Sequence, residues 1–319
     1  MELTILILLI AGFYLLIKGA DILVKGSSSL AKRFNVREIV IGLSLVAFGT
    51  SLPEAFVNII SSISNQNEIV FGNVIGSNIF NIAVILGISA LISPIKVNKN
   101  TLFKEIPFSL FAAFILFLLV NDSLLLGFDR NGLSALDGLI LITFFIVFLA
   151  YVFKISKDKA RHKFKVQLHS TPKTLVYIIM GFFALFIGAK LVVNNSTELA
   201  RFLGVSEKLI ALTIIAGGTS LPELAVSAVA VYKKEYALAV GNIIGSNIFN
   251  IFFVLGIGSL IRPAAYDPIF NIDMLVLTFF TLFLFFAILL HKDRKIHKIQ
   301  SLFFLLGYAA YIAYLFYRK

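Results

Sequence analysis

The chain of 319 residues is 59% hydrophobic and only 14% charged. A water-soluble domain has about a quarter charged residues and less than half apolar, so that class is excluded and the solvent is lipid. A net charge of +11 would suit nucleic acid, but its placement along the chain ties it to membrane topology, so no nucleic-acid partner is expected.

Apolar runs of about 20 residues, enough to cross roughly 30 Å of hydrocarbon as a helix, recur from end to end. In chain order they predict about ten spans, near 3–24, 38–61, 70–92, 103–121, 134–153, 174–198, 208–231, 237–261, 273–291 and 299–316. The first run has no basic n-region and no small-residue cleavage site, so it reads as a true span rather than a signal peptide. The expected fold is all-α, a polytopic protein of the lipid bilayer. The linkers after the first, third, fifth, seventh and ninth spans hold most of the 28 basic residues: Lys25, Lys32, Arg33 and Arg37; Lys96, Lys99 and Lys104; Lys154, Lys157, Lys159, Arg161, Lys163, Lys165 and Lys173; Lys233 and Lys234; Lys292, Arg294, Lys295 and Lys298. The other linkers and the C-terminus hold Arg130, Arg201, Lys208, Arg262, Arg318 and Lys319. Basic loops stay in the cytoplasm, which predicts a multi-pass protein of the cell membrane with both termini outside. The 154–173 linker, short and basic, reads as a solvated cytoplasmic connector. Cysteine is absent, which excludes disulfides, thiolate chemistry and Cys-ligated metal.

The chain repeats itself at an offset of 169: Thr50 matches Thr219, Glu54 matches Glu223, Ser77 matches Ser246 and Asn81 matches Asn250, with Ala31/Ala200, Val36/Val205 and Ile41/Ile210 upstream. The expected organisation is a first repeat over 1–160, a short basic linker over 161–172 and a second repeat over 173–319. Five spans per half is odd, so the halves should enter the membrane from opposite sides. Inverted repeats of this kind place a transporter's site at the repeat interface near the midplane.

Two motifs carry the chemistry. The first is Gly49-Thr50-Ser51-Leu52-Pro53-Glu54, returning as Gly218-Thr219-Ser220-Leu221-Pro222-Glu223. Proline inside a span removes a donor and frees the carbonyl four residues earlier, here Gly49 and Gly218. Such backbone is tolerated at membrane depth only where it is buried in protein or lines a cavity. Carbonyls beside a carboxylate are ligands for hard cations, and Thr50 and Glu54, four apart, should share one helix face. A carboxylate in mid-span is costly unless paired or ion-bound, and its duplication points to one shared site holding two negative charges. The second motif is Gly72-Asn73-Val74-Ile75-Gly76-Ser77-Asn78-Ile79-Phe80-Asn81, returning at Gly241 to Asn250. Its glycines allow close helix approach. Ser77 with Asn81, and Ser246 with Asn250, offer neutral oxygens suited to ions that must also leave. For Asn73, Asn78, Asn242 and Asn247, hydrogen bonding between helices is at least as good an account as ion contact, and they stay outside the expected site. Lys18, Asp21 and Lys190 lie within spans without repeat-related partners, so snorkelling or local pairing is expected. Tyr308, Tyr311, Tyr314 and Tyr317 read as packing and an interface belt.

No phosphate-binding loop is present. The histidines (His162, His169, His291, His297) fall in or beside basic linkers, and no nucleophile–base pair lies in the spans. An enzyme and a resident cofactor are therefore not expected, no required protein partner is apparent, and an ion gradient should drive transport.

With those motifs in register twice, the chain resembles the two alpha-repeats of the calcium/cation antiporter superfamily, and within it the prokaryotic sodium/calcium exchangers. The resemblance covers the whole chain and implies alternating access with sodium and calcium as substrates, three Na+ for one Ca2+. It also implies ion contacts from the carbonyls of Ala47 and Ala216, from Thr50, Ser51, Glu54, Ser77 and Asn81, and from Thr219, Ser220, Glu223 and Ser246, with Asn250 completing the set. Many relatives carry Asp at the position of Asn250. Asn there argues against potassium co-transport and for a weaker pH dependence. Proton-coupled or potassium-dependent divalent exchange is the alternative, and an uncoupled channel would use the same ligands.

Overall fold

In lipid every backbone polar group must be satisfied within the protein, so apolar runs become helices. The computed structural model describes residues 2–123, 131–157, 168–202 and 216–318. In chain order these form α1 (Glu2–Arg33), α2 (Glu38–Thr50), α3 (Leu52–Ile63), α4 (Asn67–Ile92), β1 (Ile95–Lys96), α5 (Thr101–Val120), β2 (Gly132–Leu133), α6 (Ala135–Ser156) and α7 (Thr171–Phe202). A helical turn at Ala216–Gly218 follows, then α8 (Leu221–Tyr232), α9 (Tyr236–Ile261), β3 (Ala264–Ala265), α10 (Phe270–Leu289), β4 (Lys295–Ile296) and α11 (Lys298–Tyr317). Among the described residues eight helices are long and apolar enough to cross a membrane, and the bent pair α2–α3 makes a ninth. Of the expected 208–231 span, the described part is the turn at Ala216–Gly218 and the short apolar α8. The expectations for Arg130, Lys159 to Lys165 with His162, Val205, Lys208, Ile210 and Lys319 fall outside the described residues, as do the side chains of Ala200 and Arg201.

Elements recur at the offset read from the sequence. Helix α3 returns as α8, β1 as β3 and α5 as α10, each displaced by 169 residues. The short strands pair across the halves, β1 antiparallel with β4 and β2 antiparallel with β3. Helices α4 and α9 are the molecular centre: their most apolar windows are 72% and 83% buried, against 17–44% for the other spans. That centrality explains why the polar second motif sits on them. Both helices widen into π-turns at its last residue, over Asn81–Ile85 and Asn250–Leu255. Such bulges free backbone from regular pairing and concentrate at functional sites.

Helix α1 runs to Arg33, beyond the expected end at residue 24, so Lys25, Lys32 and Arg33 sit on its last turns rather than in a linker. Asp21 does not pair with Lys18. It bonds Lys25 at 2.8 Å and Lys233 at 2.6 Å, because an acid four residues before a lysine faces it on a helix and the α8–α9 turn brings Lys233 alongside. Lys18 lies 5.9 Å from the Tyr14 ring centre, and Lys190 is exposed.

Candidate ion-binding site

Each Pro-Glu motif opens a helix. Pro53 and Pro222 occupy the first turns of α3 and α8, where a missing N–H costs nothing, and the chain breaks just before them at Ser51 and Ser220. Helices α2 and α3 meet at 47°. Glu54 and Glu223 thereby fall in helix first turns, where the N-terminal dipole favours negative charge, although they are only 1% and 0% exposed.

The break changes the expected pairing. Thr50 and Glu54 lie on different helices, so the shared-face argument fails, and the contacts run between the halves. The Ser220 hydroxyl donates to Glu54 Oε1 at 2.9 Å, and the Ser51 hydroxyl donates to Glu223 Oε1 at 2.9 Å. Ser246 Oγ is 3.5 Å from the same Glu223 oxygen. Thr50 Oγ1 lies 3.0 Å from the Val46 carbonyl and 3.1 Å from Asn242 Oδ1. The Ala47 carbonyl accepts the Ser51 N–H at 3.0 Å. Ala216 begins the equivalent turn ahead of Ser220.

Asparagines clamp the central helices. Asn78 and Asn247 donate to each other's carbonyls at 3.1 and 3.3 Å. Asn81 donates to Asn247 Oδ1 at 2.9 Å and Asn250 donates to Asn78 Oδ1 at 3.1 Å. Asn73 donates to the Glu54 carbonyl and Asn242 to the Glu223 carbonyl. These asparagines thus make the helix-to-helix bonds weighed against ion contact.

After these bonds, six buried oxygens of expected site residues find no hydrogen-bond partner within the protein: Glu54 Oε2, Glu223 Oε2, Ser77 Oγ, Asn81 Oδ1, Thr219 Oγ1 and Asn250 Oδ1. An unmet buried polar group costs about 1–3 kcal/mol, more when charged. Carboxylate, amide and hydroxyl oxygens suit a hard cation. The six unpartnered atoms are all oxygens, unlike the nitrogen- and sulfur-rich sets of transition metals.

The two sides of this layer are packed differently. On α9, a Cβ added at Gly245 would lie 2.8 Å from Ala47 Cβ and 2.9 Å from Leu43 Cα, and one at Gly241 would lie 2.9 Å from the Ile39 carbonyl. On α4, a Cβ at Gly76 would meet nothing within 4 Å and one at Gly72 only Phe270 at 3.7 Å. A cavity of about 380 Å³ occupies that side, and Ser77 and Thr219 line it.

Two further acids lie buried in spans outside the motifs, Glu105 on α5 and Asp273 on α10. Glu105 accepts from the Tyr151 hydroxyl, and Asp273 from Tyr311 at 2.7 Å. The signal that would have found them is a carboxylate within an apolar run; both stand near span ends and outside the repeated motifs.

A family profile described as sodium/calcium exchanger protein matches residues 4–154 and 173–317. The sodium/calcium exchanger MaX1 of Methanosarcina acetivorans is 30% identical over 325 residues, 91% of this chain and 92% of its own. The inner membrane protein YrbG of Escherichia coli is 35% identical, covering 82% and 81%. The solved sodium-calcium exchanger NCX_Mj, in a form soaked with zero Na+ and Ca2+, superimposes with a TM-score of 0.84 at 35% identity, covering 98% of this chain and 99% of the other.

Proposed function

Because the chain belongs to the sodium/calcium exchanger protein family, we propose that it is a secondary antiporter exchanging sodium for calcium around the Glu54–Glu223 layer. The observation that carries this is the set of six unpartnered oxygens, with two carboxylates bridged across the halves by Ser51 and Ser220. Calcium binds both carboxylates, with Thr50, Thr219 and the Ala47 and Ala216 carbonyls beside them. Sodium ions use the same carboxylates with Ser77, Asn81, Ser246 and Asn250, so the two loads exclude each other. Three Na+ against one Ca2+ moves net charge. Two carboxylates without a third acid favour this over potassium-dependent exchange, and the Gly-Ser sequence of the second motif, lacking a carboxylate, favours it over proton coupling.

The architecture in this proposal is ten spans in two inverted repeats, 1–160 and 173–319, joined by the 161–172 linker. The recurrence of elements at one offset and the strand pairing across halves support it. With basic linkers in the cytoplasm and the chain in the cell membrane, both termini lie outside, and so does the cavity beside Gly72 and Gly76. Close packing at Gly241 and Gly245 then seals the inner side, which favours alternating access over an open pore.

The test is radiolabelled calcium uptake into proteoliposomes loaded with sodium, protons or potassium. Uptake is expected to require internal sodium and to charge the membrane, and Glu54→Gln or Glu223→Gln to abolish it. Uptake driven only by protons or potassium would replace the coupling ion, and normal transport by either variant would remove the site assignment.

A further inference from the structure

The cavity that reaches Ser77 and Thr219 is also lined by Asp273, Tyr311 and Arg318. Asp273 stands in the first turn of α10, and its side chain is 3% exposed. Arg318 follows α11 in extended backbone, and Nη1 reaches both carboxylate oxygens, at 2.9 and 3.1 Å. Tyr311 holds Asp273 Oδ1 from within α11. The partners differ in how firmly they are held. The Arg318 side chain is 18% exposed; beyond the carboxylate it touches the Ile269 carbonyl at 3.2 Å and lies 5.6 Å from the Tyr314 ring centre. Asp273 thus has a partner in Tyr311 that does not depend on the arginine.

We propose that Asp273 is the gate carboxylate for cations moving between the bulk and the ion layer, and that Arg318 is its displaceable internal counter-ion. This rests on the exchange reading above. While Arg318 sits on Asp273, the guanidinium cancels the carboxylate's charge and the throat offers cations no free acid. An arriving cation competes for the same two oxygens, and displacement of Arg318 turns the throat attractive. In a narrow, low-dielectric passage one charge changes local cation concentration far more than on an open surface. A purely structural pair would instead tie α10 to the end of α11 and keep Arg318 on Asp273 whatever cation is present.

The chain contains no cysteine, so Gly76→Cys places a single thiol on the cavity wall where an added Cβ meets nothing within 4 Å. Its reaction rates with a cationic and a neutral methanethiosulfonate of matched size read the throat charge without requiring transport. In that background Arg318→Gln is expected to raise the cationic-to-neutral rate ratio at least about threefold, and Asp273→Asn to lower it by a similar factor. Arg318→Lys should stay near the parent. Arg318→Gln should also lower the KM for calcium on the cavity side and leave the KM on the opposite side unmoved. An unchanged rate ratio in both variants, or a thiol that neither reagent reaches, would overturn the gate. If sodium-driven calcium flux by the protein with Gly76 intact fails while the ratio shifts as stated, the exchange reading falls and the charge control of the throat stands.

Discussion

Asn81 and Asn250 use the two ends of one amide for different purposes. Each NH2 donates to the asparagine of the opposing central helix, and each carbonyl oxygen is left unpartnered in the proposed ion layer. A carboxylate cannot reproduce this, because an ionised Asp only accepts. Asn250→Asp would set its charge against Asn78 Oδ1 and lose a donor, so it is expected to destabilise the ion-free protein by about 1–3 kcal/mol. Calcium should recover part of that loss, and thermal unfolding in detergent with and without calcium measures both. The same variant adds a titratable group, and the pH profile of transport should steepen. A flat profile would show that the neutral side chain is not what limits pH dependence.

At the scale of elements, broken helices do the work. Breaks at Ser51 and Ser220 end one helix and begin another, so a helix N-terminus and a carboxylate arrive together at the same depth. The packing contrast between α4 and α9 separates two glycine substitutions that look alike in sequence. Gly245→Ala forces a methyl onto Ala47 and Leu43 and is expected to lower the melting temperature by several degrees, a cost of about 1–3 kcal/mol for overpacking. Gly76→Ala meets open space and should leave the melting temperature near the parent value. If alternating access closes this side in turn, Gly76→Ala should slow calcium flux, because the methyl obstructs the packing that Gly245 makes here. Equal melting temperatures for the two variants would contradict the packing contrast.

At the scale of the molecule, a charged cluster joins α1 to the α8–α9 turn: Asp21 with Lys25 and Lys233, and Glu235 beside Glu38, Lys233 and Ser28. Glu235 lies just before α9, outside the spans. Burial, with the Glu38 carboxylate adding to it, pushes its carboxyl up to about 7 from an ordinary 4.5, against smaller opposing effects of Ser28 and Lys233. The folded form then holds the proton more tightly than the unfolded chain. Its contribution to stability is full below pH 4.5 and is lost as pH rises through about 7. Glu235→Gln removes that dependence, so the stability gain of the variant over the parent is expected to grow from pH 5 to about 7.5 and then level off. Unfolding temperatures across that range test it, and a pH-independent difference would mean that Glu235 is not the group responsible.

The sequence by itself determined the solvent, the helical class, the duplicated motifs and the acids Glu54 and Glu223. These follow from local chemistry: apolar runs of membrane length, a proline that must break a helix, and a carboxylate too costly to leave unused. The family was legible for the same reason, since both motifs recur in register. Tertiary structure alone decided which residues meet. Serines donate to the glutamate of the opposite half, Asp21 prefers Lys25 and Lys233 to Lys18, and Asp273 finds Tyr311 and Arg318. Apart from Asp21 with Lys25, which are four apart on α1, spacing along one helix cannot foresee such contacts, because they depend on how separate helices cross. Nor could a repeat that reads alike in both halves foretell that one side is open at Gly76 while its counterpart at Gly245 is packed shut. A repeated sequence is symmetric, whereas any one conformation of a molecule that must choose a side is not.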